Sequence, residues 1–94
     1  MKKKFIVRGE NSGVFYGEIK ARLNQEVIMA NVRRICYWKG AASISQLSAE
    51  GVKNPDECTI SMPVKELVLL DAIEIIPCTT VAKTCLDGVK EWKA

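Results

Sequence analysis

The sequence predicts an α+β fold, a curved antiparallel sheet with one or two short helices against it, in the order β-β-β-α-β-β-α. Three observations lead there. Alternating apolar stretches fill residues 14–38 almost without a break. Capped helix signals occur only after residue 40 and after residue 78. Gly, Pro and Asn clusters punctuate the rest. At 94 residues, 48% apolar and 27% charged, the chain has ordinary globular composition and reads as a single domain, 1–94. It is well above the roughly 40 residues below which small folds need staples.

Phe5-Ile6-Val7 reads as a first strand and Gly9-Glu10-Asn11-Ser12-Gly13 as a turn. Val14–Leu23 and Glu26–Trp38 read as a hairpin joined by Asn24-Gln25. Asn tolerates the left-handed conformation that a two-residue turn needs; Gln is less suited than Gly. This turn predicts a register of Leu23 with Glu26, Ala21 with Ile28, Ile19 with Ala30, Gly17 with Val32 and Phe15 with Arg34. Those residues form one apolar face, expected to be buried, on which Arg34 is the exception. Either a bulge rotates the strand there, or a carboxylate or ligand holds the Arg.

Ser43-Ile44-Ser45-Gln46 has capping-box spacing, so a helix is expected from Ser43 to Glu50, stopped by Gly51. Val52–Glu57 is a loop. Thr59–Met62 reads as strand before Pro63, Val64–Leu70 is ambiguous but favours strand, and Ile73-Glu74-Ile75-Ile76 is a strand ended by Pro77. Thr79 or Thr80 caps a second helix through Leu86, with Asp87-Gly88 after it. Val89–Trp92 is a tail whose Trp92 is expected to dock on the core.

No apolar run approaches the roughly 20 residues of a membrane span. Lys2-Lys3-Lys4 resembles a signal-peptide start, but the apolar stretch after it ends at Arg8. A cytoplasmic protein without a membrane partner is expected. The net charge of +3 is unevenly spread: residues 1–40 hold nine Lys/Arg against three acids, residues 41–94 five against eight. The first part is thus cationic, though less so than a dedicated DNA binder. Cys36, Cys58, Cys78 and Cys85 show no C-x-x-C spacing and there is no His, so neither a metal site nor a cofactor is expected. The expectation is four buried, reduced thiols, with strand alternation putting Cys36 on the buried face.

No nucleophile elbow, Walker loop or dinucleotide motif is present, and no catalytic residue is assigned; the reading is not an enzyme. The segment with most binding chemistry runs from Arg33 to Ser45. Arg33 and Arg34 carry charge, Tyr37 and Trp38 offer rings for stacking, and Gly40 with Ser43 and Ser45 opens a helix whose first amides can hold an anion. These seven residues are the candidate site for a nucleotide or a nucleic acid. The bland alternative uses the same residues as core and caps. A third reading makes the aromatics a protein interface, for a homo-oligomer or a host protein.

Val32-Arg33-Arg34-x-x-Tyr37-Trp38-x-Gly40-Ala41-Ala42-Ser43-x-Ser45-Gln46-Leu47, then Glu50-Gly51-Val52-Lys53-x-Pro55, Ile73-Glu74-Ile75-Ile76-Pro77-Cys78-Thr79 and Gly88-Val89-Lys90-Glu91-Trp92, resembles a family of small uncharacterised tailed-phage and prophage proteins. Ser12-Gly13-Val14-Phe15-Tyr16-Gly17-Glu18-Ile19 matches too. The chain departs at Cys36, where an aromatic is usual, and at Gln25, where Gly would ease the turn. The resemblance implies a phage accessory protein in the host cytoplasm. By analogy of setting, it implies a binder of nucleotides, immune signals among them, or of a host factor.

Overall fold

The computed structural model describes residues 3–94; Met1 and Lys2, where the lysine run begins, lie outside them. The α+β class holds. The strands are β1 (Phe5–Gly9), β2 (Gly13–Leu23), β3 (Glu26–Tyr37), β4 (Thr59–Ser61), β5 (Val64–Leu69), β6 (Ala72–Pro77) and β7 (Glu91–Trp92). The helices are α1 (Ile44–Glu50) and α2 (Thr80–Asp87). Two strands exceed the expected order: β5 resolves the ambiguous stretch, and β7 pairs parallel to β4 while the other pairs are antiparallel.

The sheet runs β6-β1-β2-β3-β4-β7, with β5 also on β3. β4 takes the stretch of β3 around Ile35–Tyr37, and β5 takes Val27–Val32. Only Leu70 and Asp71 separate β5 from β6, yet β6 pairs with β1, on the far side of β2. The sheet must therefore curl. Inside the curl lie Val7, Phe15, Val27, Met29, Val32, Leu69 and Ala72. On the other face, Ile6, Tyr16 and Ile35 pack with Leu47 of α1, Leu86 of α2, and Val52, Ile60 and Val89. Full burial of each large side chain contributes about 1.5–3 kcal/mol. The Asp71 carboxylate fixes the entrance to β6 by accepting from Asn11 N and from Ser12 Oγ.

The helix ends follow the sequence closely. Ser43 Oγ accepts from Gln46 N at 3.2 Å, and Thr79 Oγ1 accepts from Ala82 N at 3.1 Å. The tail differs from expectation. Val89 is the buried residue, and Trp92 is 62% exposed, because pairing of Glu91–Trp92 with β4 holds it at the sheet's edge.

The hairpin register is correct at both ends and wrong between them. Val14, Phe15 and Tyr16 face Ile35, Arg34 and Arg33, and Ala21, Arg22 and Leu23 face Ile28, Val27 and Glu26, as the turn dictates. In the middle, Glu18 faces Ala30 and Ile19 faces Met29. An extra residue on β3 at Asn31–Val32 opens this slip, and an extra residue on β2 at Lys20 closes it. Asn31 adopts φ 47°, the left-handed region, and its Nδ2 donates to Glu18 Oε2 at 3.0 Å. Gly17 lies against this bulge; a Cβ there would sit 2.8 Å from Val32 Cα.

The consequence is an inversion of faces. From Val32 to Ile35 the alternation is as expected, but between Val27 and Ala30 it is reversed. Val27 and Met29 are buried in the curl, while Ala21 is exposed and Ile28 and Ala30 are half-exposed. The face expected to be core is, near the turn, the solvent face.

Asn31→Val should lower stability by about 1–2 kcal/mol or more, since a β-branched side chain is forced to positive φ. Asn31→Gly keeps that conformation accessible and should cost less. Urea unfolding of the two variants checks the order.

Candidate functional site

The corner from Arg33 to Ser45 is built mostly for holding the fold together. Arg33 is 5% exposed. Its Nε donates to Ser61 O at 2.8 Å, Nη1 to Leu86 O at 2.9 Å, and Nη2 to Ile60 O at 3.3 Å and Lys90 O at 3.4 Å. One guanidinium thus ties β3 to β4, to the C-terminal end of α2 and to the segment entering β7. Burial pulls its pKa below the ordinary value, with Glu91, Asp87 and Tyr16 acting the other way.

Arg34 leaves the strand on the other face. Its guanidinium lies 4.9 Å from the Phe15 ring centroid, directly across the hairpin. Its backbone N–H donates to Ser61 Oγ at 2.8 Å. No hydrogen bond or ion pair from the guanidinium is formed among the described residues. A second irregularity, between Ile35 and Tyr37 opposite β4, turns Cys36 outward. Cys36 is therefore exposed, against the alternation expected of it; Cys58, Cys78 and Cys85 are half-buried, and all four are free thiols. Burial pushes the Cys78 thiol up to about 11.

Tyr37 is 56% exposed, and Trp38 is half-buried against the core beneath the helices. Gly40 has φ 96°, and a Cβ on it would lie 2.5 Å from Lys53 N, so the corner closes tightly on the segment after α1. Lys53 N donates to Gly40 O, Lys39 N to Cys58 Sγ, and Lys39 Nζ pairs with Glu57 at 3.0 Å. The amides at the start of α1 are also engaged: Ala42 N donates to Gln46 Oε1 at 2.8 Å, and Gln46 N to Ser43 Oγ. Ser45 is exposed, and its carbonyl accepts from Ser48 Oγ. Of the seven expected residues, Arg34 and Tyr37 are exposed with large side chains that make no side-chain hydrogen bond among the described residues.

Behind Arg33 lies a polar cluster. Tyr16 Oη donates to Asp87 Oδ1 at 2.7 Å, and Lys4 Nζ reaches the same oxygen at 3.1 Å while standing 5.1 Å from the Tyr16 ring centroid. Burial and Asp87 drive the Tyr16 hydroxyl far above its ordinary pKa. Burial alone would raise the Asp87 pKa, but Tyr16 and Lys4 outweigh it and hold the carboxyl below the usual range. Among the described residues no group of three or more Cys, Asp or Glu side chains is arranged to hold a metal ion. No helix among them is long and apolar enough to cross a membrane.

A second surface was not anticipated. On the outer face of β2–β3–β5, Ala21, Ile28 and Val68 form a row across three strands. Leu23 extends it along β2, and Leu70 follows two residues after Val68. Leu23 is 72% exposed, Val68 51% and Leu70 68%. The row is apolar, uncovered and bordered by Glu26 and by the Lys20–Glu66 ion pair at 2.7 Å. A signal for it existed: near the turn, both faces of the hairpin carry apolar residues, and a curled sheet can enclose only one.

The class defined here is a small α+β protein whose curled sheet buries one face within itself and part of the other under two helices. The chain belongs to the family described as a domain of unknown function (DUF6948), whose model matches residues 2–86. No curated protein and no solved structure matches the chain.

Arg33→Met should destabilise the fold by about 3 kcal/mol, since it removes the donors to carbonyls of β4, of the end of α2 and of the segment entering β7; Arg33→Lys should recover little. Chemical denaturation checks both. The unfolded Asp carboxyl titrates near about 3.9 and the folded one lower, so Asp87 contributes stability above about pH 4 that is lost as pH falls through the folded value. Asp87→Asn should therefore flatten the acid limb of a melting-temperature profile.

Proposed function

We propose that this chain is a non-catalytic accessory protein that works by binding another protein through the outer face of β2–β3–β5. The observation that carries the reading is the uncovered apolar row of Leu23, Ala21, Ile28 and Val68 on β2, β3 and β5, continued by the exposed Leu70 just past β5. Contiguous apolar surface of this kind marks interaction sites. Internal use of Arg33, Gly40 and Ser43 favours this face over the corner they occupy. The resemblance to phage and prophage proteins supports an accessory role in a host cytoplasm, with a host protein or another copy of the chain as partner.

An anionic ligand, a nucleotide or nucleic acid, is a second reading. It is favoured by the Arg34 guanidinium, which is exposed and makes no hydrogen bond or ion pair among the described residues, with Tyr37 exposed three positions further on.

Native mass spectrometry of the gently purified protein separates the two. The interaction reading expects a bound protein chain that Val68→Glu removes without lowering the melting temperature by more than a few degrees. A monomer carrying a nucleotide or nucleic acid that Arg34→Ala or added salt releases establishes the second reading instead. A bare monomer overturns both.

A further inference from the structure

We propose that the open edge of β6 takes an extended segment of a partner protein as an added strand. This site is separate from the outer face of β2–β3–β5 and does not depend on it. β6 ends the sheet: among the described residues it pairs with β1 on one side and with no strand on the other. In an antiparallel pair, successive residues turn their N–H and C=O groups alternately toward the partner and away from it. Cys78 N donates to Lys4 O at 2.9 Å, in the same register as the β1–β6 pairs. That phase makes Ile76 face Ile6 and Glu74 face Arg8 as hydrogen-bonded pairs. Ile75, between them, therefore turns its N–H and C=O to the open side. Pro77 falls in the outward phase too, where a missing N–H breaks no bond to β1.

A groove of about 680 Å³ runs along this edge, between residues 72–75 of β6 and Arg22, Asn24 and Gln25 at the β2–β3 turn. Both ends are bounded. Ala72 N donates to Gln25 O at 3.1 Å, and beyond Pro77 the chain is tied to α1 by Thr79 N on Ser48 O at 3.0 Å. The accessible window is Ile73 to Pro77.

The backbone decides what fits there. Outward N–H and C=O groups spaced along a strand are matched by another extended main chain. The other free edges carry guards against such pairing. Pro63 precedes β5 and Lys65 lies within it, and β7 is only Glu91–Trp92. β6 offers Ile73, Ile75 and Ile76, with Ile73 46% exposed, and the charge of Glu74 is offset by Arg8 at 3.5 Å. An incoming strand alternates its side chains, so those on the Ile75 side meet a residue packed on the core of the curl and suit apolar groups. Arg22 Nη1 donates to Asn24 O, and its guanidinium forms no ion pair among the described residues. An acidic residue at the turn end of the segment complements it. The recess beside the turn suits a single segment better than the edge of a second whole sheet.

Random peptides of about seven residues, displayed on yeast and selected against the purified protein, supply the probe. Enriched sequences should alternate apolar residues and carry Asp or Glu at one end. In calorimetric titrations, Ile73→Lys should weaken the selected peptide about ten-fold or more, with its melting temperature within a few degrees of wild type. Arg22→Gln should weaken it roughly two- to five-fold. N-methylation of the peptide backbone should cost about ten-fold at every second position and little between, because alternate amides face β6. By NMR, the Ile75 amide should exchange quickly in the free protein and slowly with peptide, while the Glu74 and Ile76 amides are slow in both. No enriched peptide, no alternation in the N-methyl series, or an Ile75 amide already slow in the free protein overturns the proposal. A dimer that Ile73→Lys dissolves overturns it in favour of β6 pairing between two copies. Peptides lost with Val68→Glu and kept with Ile73→Lys overturn it while upholding the β2–β3–β5 face.

Discussion

One left-handed residue in the middle of β3 decides which way its neighbours face. Asn31 at φ 47° adds a residue to β3, and Lys20 adds one back to β2 a few positions later. Between these two points the pairing is shifted by one, and a shift of one exchanges the two faces of a strand. The extra residue at Asn31 itself exchanges the faces of β3 on the turn side, so Val27 and Met29 enter the curl and Ile28 turns outward. Beyond the bulge, Val32 returns to the curl and Arg33 is carried under α2. The core near the turn and the exposed apolar row follow from this geometry.

Arg33 shows how a cation can be buried with no direct ion pair among the described residues. Four carbonyl oxygens from three segments surround it. One of them, Leu86 O, lies at the C-terminal end of α2, where the peptide dipole is negative, and it also accepts from Val89 N; Lys90 O follows in the segment entering β7. The guanidinium supplies the N–H groups that these oxygens need, in a planar fork that Lys cannot copy. The nearby Tyr16–Asp87–Lys4 cluster adds a second tie between β2, the chain start and α2. Together they fasten the helical layer to the sheet with few helix residues; α1 has seven and α2 eight.

The same chemistry serves cohesion and recognition, so the corner's residue types alone leave its use open. A guanidinium suits a phosphate or a set of carbonyls equally well. A serine at a helix start can receive an anion or its own backbone amide. Here Gln46 and Ser43 engage the amides, and Gly40 lets the following loop close in. Arg34, stacked on Phe15, and Tyr37 are the members left facing solvent. The uncovered apolar row arises differently: a short sheet with both faces apolar near one turn, and only two small helices to cover it, leaves part of one face bare.

Much of the architecture was readable before any coordinates. Ser43, Gly51, Thr79 and Gly88 mark the helix limits, because caps are local hydrogen-bond requirements. Asn24 marks the hairpin turn, and the paired ends of β2 and β3 follow from it by counting. Those inferences need only neighbours a few residues away. The bulge at Asn31, the outward turn of Cys36, the exposure of Trp92 and the internal use of Arg33 were not readable that way. Each depends on partners such as Glu18, β4 or the end of α2, which lie roughly 13 to 57 residues away. Local sequence sets which backbone shapes are cheap; which face meets water is decided only when distant segments compete to cover it.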